Sequence, residues 1–158
     1  MLKLTKKADY GLIAMRHLAS CDEHSACSAK EMAESYGIPQ EALAKILQRL
    51  VKAKLLVSQY GINGGYALAR DARSISALEV IKAIEGPLFI TSCTTNHGDC
   101  VQSPKCTVRE PLRKVSETIQ QVLTRMKIAD MLPEPQERST GSEPGPSLQP
   151  QADLVTLT

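Results

Sequence analysis

The chain has almost no aromatic residues. It contains no tryptophan and one phenylalanine among its 158 residues, whereas 42% of all residues are hydrophobic. The core must therefore be aliphatic. Leu, Ile, Val, Ala and Met recur at helical spacing, which predicts a mostly helical protein. A chain of this length is expected to form one domain of ordinary size.

The chain also lacks a long uninterrupted hydrophobic segment. Its N-terminus, MLKLTKKADYGLIAMRHLAS, has neither the apolar run nor the cleavage site of a signal peptide, and no segment reaches transmembrane length. We therefore expect a cytoplasmic protein without a membrane partner. Thiols are kept reduced in that compartment, so clustered cysteines favour metal or redox chemistry over structural disulfides.

Motifs of the common enzyme classes are absent too. The sequence has no GxSxG or HExxH motif, and its glycine-rich stretch GINGGY leads into a strand-like run. A phosphate-binding loop would instead lead into a helix. We predict a binding protein rather than an enzyme, with no small-molecule substrate.

The charge is unevenly distributed. The net charge is +2, but residues 133–158 contain one arginine against four acidic residues, so this tail carries −3 and the remainder +5. The tail is rich in Pro, Ser, Gly and Gln and is predicted to be disordered. The folded part, residues 1–132, is moderately basic, which is compatible with an anionic partner.

Capping signals predict a winged helix-turn-helix domain over residues 1–86. The predicted helices span residues 5–21, 29–36 and 39–53, and a further helix begins after the capping box Ser76–Glu79. The run LLVSQYGINGGYALAR predicts a β-hairpin. Two short helices followed by a hairpin are typical of a domain that binds double-stranded DNA, with the second helix in the major groove.

The polar face of the helix at 39–53 is the predicted base-reading surface. The candidate DNA-binding residues are Lys30, Gln40, Glu41, Ala44, Lys45, Gln48, Arg49, Tyr60 and Asn63. Gln, Glu and Lys reach base edges, Arg49 suits phosphates, and the hairpin tip suits a minor groove. The alternatives are a solvated helix face with a surface hairpin, or a winged helix that binds protein.

A heptad-like stripe follows the last predicted helix, at about 108–131. Its apolar residues are Leu112, Val115, Ile119, Val122, Met126 and Ala129. Alternate spacings of three and four residues are typical of a helix that packs against another long helix. We therefore predict a homodimer held by a dimerisation helix at 108–132. Packing onto its own domain is the alternative. A capping box at Thr107–Glu110 would begin this helix.

Three of the five cysteines lie in a polar segment at 87–107, which we predict to be a cluster-binding loop. These are Cys93, Cys100 and Cys106. Their spacing lacks the CxxC pairs of zinc ribbons and the compact run of bacterial ferredoxins, and wide loops suit a bulky iron–sulfur cluster. Cys106 directly precedes a predicted helix, whose dipole favours a thiolate.

Two alternatives for the cysteines stay open. The first is a zinc site formed by Cys93, His97, Cys100 and Cys106. The second is three unrelated cysteines. The remaining pair, Cys21 and Cys27, is interpreted as structural or incidental.

Together these segments resemble the Rrf-two-type (Rrf2) bacterial transcriptional regulators. The resemblance rests on LKLTKKADYGLIAM, GIPQEALAKILQRLVKAKLLVS, GINGGYALAR and the Cys-x6-Cys-x5-Cys loop, and it covers about residues 1–130. The opening looks most like the branch that controls genes of Suf-type cluster assembly. The resemblance implies a homodimeric winged-helix regulator with a [2Fe–2S] or [4Fe–4S] cluster on the three loop cysteines.

The resemblance leaves the fourth ligand open. Some members use a histidine whose position is Arg109 here, and others use an acid from the other subunit, which matches Asp9. His97 is a second candidate. The implied function is a DNA-binding regulator whose operator affinity depends on the cluster. A zinc-stabilised or thiol-switched regulator, responsive to redox state or nitric oxide, is the alternative.

Overall fold

The computed structural model describes residues 4–21, 26–61, 64–89 and 105–133. In chain order the elements are α1 (Lys6–Ser20), α2 (Ala29–Tyr36), α3 (Gln40–Lys52), β1 (Leu56–Gln59), β2 (Gly65–Leu68), α4 (Ala77–Glu85) and α5 (Arg109–Arg125), followed by a 3-10 turn at Ile128–Met131. The two strands form an antiparallel hairpin. This mostly helical architecture with a small wing confirms the predicted fold class.

An aliphatic core joins α1, α3 and α4. Met15, Leu43, Leu47 and Ile81 are completely inaccessible to solvent. Burying one such side chain contributes about 1.5–3 kcal/mol, so the core is the main source of stability. Gly11 lets α1 approach α4 closely, because a Cβ there would collide with the Ile84 side chain. Within the described residues, the buried hydrophobic side chains are all aliphatic, as the composition predicts.

Reciprocal side-chain caps begin α2 and α4. The Ser28 hydroxyl accepts a hydrogen bond from the Glu31 amide at 3.1 Å, and the Glu31 carboxylate accepts one from the Ser28 amide at 3.3 Å. Ser76 and Glu79 repeat this arrangement at the start of α4. The capping box predicted at Ser76–Glu79 is therefore confirmed, and α2 begins with a box of the same kind. α2 ends at Gly37, whose φ of 62° is left-handed and favours glycine.

The wing is attached to the segment that precedes α2. β1 and β2 pair from Leu56 opposite Leu68 to Gln59 opposite Gly65. Cys27 and Tyr66 then exchange two backbone hydrogen bonds, of 3.1 and 3.0 Å. Gly65 permits this contact, since a Cβ there would lie 2.5 Å from the Cys27 carbonyl oxygen. These bonds attach the wing to the helix-turn-helix.

The last helix is shorter than its sequence pattern predicts. α5 ends at Arg125 rather than near residue 131. The Met126 carbonyl accepts a hydrogen bond from Ala77 at 2.9 Å, and the Ile128 amide donates to Ile75 at 3.0 Å. These bonds pair the backbone after Arg125 with the segment that leads into α4, so the helix ends there.

Two further details of the predicted last helix are wrong. Ala129 lies in the 3-10 turn and not on the helix, so the apolar stripe ends at Met126. The residue that caps α5 is Val108, and no side chain accepts a capping hydrogen bond there. The predicted capping box at Thr107–Glu110 does not form, because the helix begins one residue later than that box requires.

Candidate DNA interface and metal-ligand residues

α3 has one buried face and one exposed face. The buried residues are Leu43, Ile46, Leu47 and Leu50, at 0–3% exposure. The residues Gln40, Glu41, Lys45, Gln48 and Arg49 are exposed, and Ala44 is partly buried. Because side chains repeat every 3.6 residues, the apolar stripe fixes the rotation of the helix about its axis. The predicted base-reading side chains therefore point away from the core.

Arg49 has a structural contact that the sequence does not reveal. Its Nη1 donates to the Ile84 carbonyl oxygen at 2.7 Å, in the last turn of α4. A cation at the carboxyl end of a helix is stabilised by the helix dipole. Arg49 thus holds α3 against α4 while its exposed surface keeps a positive charge beside the exposed face of α3.

A groove beside α3 adds a cation that sequence analysis missed. It is lined by Lys7, Pro39, Glu41, Ala42, Lys45, Ile46 and Arg49. Lys7 belongs to the first turn of α1 and reaches this surface only through the packing of α1 on α3. The sequence signal was present, since Lys7 sits in a basic opening, but its proximity to Lys45 depends on the tertiary fold.

The remaining DNA candidates lie outside α3. Tyr60 follows β1 at the hairpin and is 96% exposed. Lys30 is exposed on α2, where it pairs with Glu34 at 3.9 Å. Such an exposed pair contributes about 1 kcal/mol at most, so a phosphate would compete readily for Lys30. Asn63 lies outside the described residues.

Most of the predicted cluster ligands also lie outside the described residues, namely Cys93, His97 and Cys100. Cys106 is described and is a free, partly buried thiol between Lys105 and the start of α5. Asp9 is exposed in the first turn of α1, where the helix dipole favours an acid. The pairing of Asp9 with the other subunit's cluster stays a prediction.

A second group of ligand-type side chains lies at the far end of α1. Cys21 and Cys27 are joined as a disulfide, with their Cα atoms 7.3 Å apart. A ring nitrogen of His17 and both sulfur atoms lie within 4.8 Å of one another. The sequence interpretation treated this cysteine pair as structural or incidental and overlooked His17. The available signal was the four-residue spacing of His17 and Cys21, which places them on one helical face.

None of the helices within the described ranges combines the length and apolarity needed to cross a bilayer. The sequence profile of the Rrf2 family, described as an iron-dependent transcriptional regulator, matches residues 4–134.

Solved structures give the same assignment. CymR of B. subtilis, described as the global cysteine regulator, is 26% identical with a TM-score of 0.68, over 83% of this chain and 96% of that chain. IscR of T. potens is 32% identical with a TM-score of 0.65, over 82% of this chain and 85% of that chain. The oxidized form of S. aureus CymR is 25% identical with a TM-score of 0.65, over 82% and 94%. The chain therefore belongs to the Rrf2 family of transcriptional regulators and is not an enzyme.

Proposed function

We propose that this protein is a homodimeric DNA-binding regulator whose operator affinity is controlled by an iron–sulfur cluster. The observation that carries the proposal is the Cys-x6-Cys-x5-Cys segment, which ends in a free thiol, Cys106, just before α5. The description of the family as iron-dependent and the 32% identity with IscR support the same view. Cluster assembly genes are the proposed target.

DNA recognition is assigned to α3 and the wing. Gln40, Lys45 and Gln48 are exposed on the face opposite the core. Amide and ammonium groups of this kind reach base edges in a major groove. Lys7 and Arg49 flank this face and suit phosphate contacts, which set orientation and salt dependence rather than sequence preference.

Dimer formation is assigned to α5. The exposed large hydrophobic residues here are Val115 and Val122 on α5 and Val108 and Met126 at its two ends, between 42% and 56% exposed. Val108, Val115 and Val122 are seven residues apart, which is the repeat of two helices packed side by side. A different face of α5 is charged, and there Arg113 pairs with Glu110 and Glu117. A second copy of the same helix would cover the apolar stripe and leave these ion pairs in water.

The donor set suits an iron–sulfur cluster. Thiolates are the ligands of such clusters, and the proposed ligands are Cys93, Cys100 and Cys106, with Asp9 of the other subunit or His97 as the fourth. When bound, a cluster would supply a redox-sensitive and removable link. Cys106 precedes α5 and Asp9 lies on α1, so ligation by both would tie the dimer helix to a DNA-binding domain.

The segment that follows α5 is already attached to the DNA-binding domain of its own chain. Arg16 of α1 donates through Nε to the Met131 carbonyl oxygen at 2.9 Å. A change at the Cys106 end would therefore tilt α5 about a fixed end and alter the spacing of the two recognition helices. Half-sites lie about 34 Å apart along DNA, so a small rotation weakens simultaneous binding.

A thiol-switched regulator is the second candidate. The Cys21–Cys27 disulfide favours it, as does the likeness to a CymR that was solved in an oxidized form. A regulator stabilised by zinc, bound to the loop cysteines and His97, is the third candidate. All three share DNA binding by α3 and differ in what the cysteines hold.

Anaerobic purification followed by iron, sulfide and zinc analysis tests the proposal. We expect brown protein with stoichiometric iron and sulfide. The variant Cys106→Ser should lose both, while Cys21→Ser, a matched change outside the loop, should keep them. Colourless protein with stoichiometric zinc and no iron would contradict the cluster.

A further inference from the structure

The group of side chains formed by His17, Cys21 and Cys27 lies where three parts of the domain meet. His17 is in the last turn of α1, and Cys21 is the residue at which α1 ends. Cys27 is bonded through its backbone to Tyr66 of the wing. The next residue, Ser28, caps α2. Any ligand held by these three side chains would join α1, the helix-turn-helix and the wing.

The three side chains present the ligand atoms of a soft or borderline metal ion. One imidazole nitrogen and two sulfurs lie within 4.8 Å of one another, so all three can approach a single ion with small side-chain movements. Zn²⁺ prefers thiolate and imidazole ligands in a tetrahedral arrangement. All three residues are partly buried, which leaves a path for an ion to enter.

One ring nitrogen of His17 has a hydrogen-bond partner. Its Nδ1 lies 3.1 Å from the Tyr36 hydroxyl, and the two rings meet edge to face with centroids 5.5 Å apart. A ligating histidine commonly uses its other ring nitrogen in such a hydrogen bond, which fixes the ring orientation. The Cys21 Sγ lies 3.4 Å from the His17 carbonyl oxygen, a distance at which the reduced thiol can donate to that oxygen.

We propose that His17, Cys21 and Cys27 form a zinc site when the two cysteines are reduced. The disulfide is the oxidised form of the pair. A dithiol reductant supplies two electrons and two protons, becoming a disulfide itself, and leaves Cys21 and Cys27 as thiols. Zn²⁺ then displaces two thiol protons and binds the two thiolates and the neutral imidazole. This site is separate from the proposed cluster and does not depend on it.

The experiment uses the full chain with Cys93→Ser, Cys100→Ser and Cys106→Ser, so that Cys21 and Cys27 are the remaining thiols. The protein is reduced anaerobically with dithiothreitol, desalted and titrated with Zn²⁺. We expect one zinc per chain after dialysis. Co²⁺ in place of Zn²⁺ should give the intense absorption of tetrahedral thiolate–cobalt sites.

Single substitutions in this background identify the ligands. Cys21→Ser and Cys27→Ser should each abolish stoichiometric binding. His17→Gln should weaken it more than tenfold, since loss of an outer partner alone typically costs about 10–100-fold. Ser20→Ala, a neighbouring change at a residue that offers no soft ligand, should leave the affinity unchanged.

Two results would overturn the proposal. One is a reduced protein that retains no zinc, and the other is equal zinc retention by Cys21→Ser. If the triple-serine background does not fold, the unmodified chain and its Cys21→Ser variant are compared under the same conditions. A difference of one zinc per chain supports the site, and no difference overturns it.

Discussion

α3 and α5 are both amphipathic helices, yet their apolar faces have different surroundings. α3 has 13 residues and buries four apolar side chains, including Leu43 and Leu47 at 0% exposure. α5 has 17 residues, and its one buried residue is Ser116, at 8%. The apolar stripe of α3 is covered by its own domain, whereas that of α5 is only partly covered: Leu112 and Ile119 are half-buried, and Val115 and Val122 are exposed.

The neighbours of the two helices explain the contrast. α3 packs on α1, α2 and α4, whereas the main helical neighbour of α5 is α4. On the charged face of α5, Arg113 donates to Glu110 and holds the pKa of that carboxyl below its usual range. Such exposed pairs add little stability. The same amphipathic pattern therefore serves folding in α3 and, by our proposal, association in α5.

Truncating the core face of α3 should have the largest effect. Leu47→Ala removes a completely buried side chain and should lower the free energy of unfolding by about 2–5 kcal/mol. Val122→Ala on α5 is the comparison, because that side chain is 54% exposed within one chain. Urea unfolding at protein concentrations low enough to populate monomers measures both. Equal losses would show that the two helices do not differ as described.

Introducing charges into the apolar stripe of α5 should dissociate the dimer without unfolding the domain. Val115→Asp combined with Val122→Asp places two carboxylates in the proposed interface. Loss of a hot-spot side chain at the centre of an interface costs about 2 kcal/mol, so two such losses, about 4 kcal/mol, should weaken the dimer by roughly several hundredfold. Sedimentation velocity measures the dissociation, and circular dichroism should remain helical. Thr124→Asp, on a different face of the same helix, should stay dimeric. An unaltered dimer in the double variant would refute the assignment of α5.

Replacing one lysine on α3 and one on α5 should distinguish the proposed DNA-binding surface from the proposed dimer surface. Lys45→Ala on α3 should weaken operator binding by about 1–3 kcal/mol if Lys45 contacts a base. Lys114→Ala on α5 also removes one exposed positive charge and should leave the affinity unchanged. Fluorescence anisotropy at several salt concentrations measures both. Equal weakening would mean that net charge, and not α3, determines binding.

A smaller effect is expected from Glu79, at the start of α4. Partial burial opposes its ionisation, but hydrogen bonds from Arg70 and Ser76 outweigh that effect and lower the pKa of Glu79. Its folded pKa therefore lies below the unfolded value of about 4.3, so its contribution is complete above that pH and is lost as the pH falls through the folded pKa. Glu79→Gln should reduce the slope with which the free energy of unfolding falls as the pH is lowered. Arg70→Gln should reduce the same slope by a smaller amount. Unfolding at pH 3 to 6 measures this, and unchanged slopes would contradict it.

Local chemistry made most of the fold predictable. Ser28 and Ser76 carry their own capping signals, and the change from helical to alternating spacing marks the wing. The end of α5 was not predictable, since it is set by hydrogen bonds to Ile75 and Ala77, far away in sequence. The apolar pattern continues past Arg125 even though the helix does not.

In the candidate sites, too, features set by local sequence were predictable and features set by distant contacts were not. The exposed face of α3 follows from its helical period, because the buried leucines fix the opposite face. Lys7 beside Lys45 and His17 beside the Cys21–Cys27 pair depend on the packing of α1, and composition or spacing gives only weak signals for them. Cys93, His97, Cys100 and Asn63 remain predictions from sequence.

The most direct test of the account compares operator affinity with and without the cluster. An operator selected from random duplex DNA by the purified protein is titrated with anaerobically reconstituted protein and with its Cys106→Ser variant. We predict affinities that differ by about 5–150-fold, as coupling of about 1–3 kcal/mol between two sites requires. Equal affinities for an iron-loaded and an iron-free protein would contradict the claim that the cluster controls DNA binding.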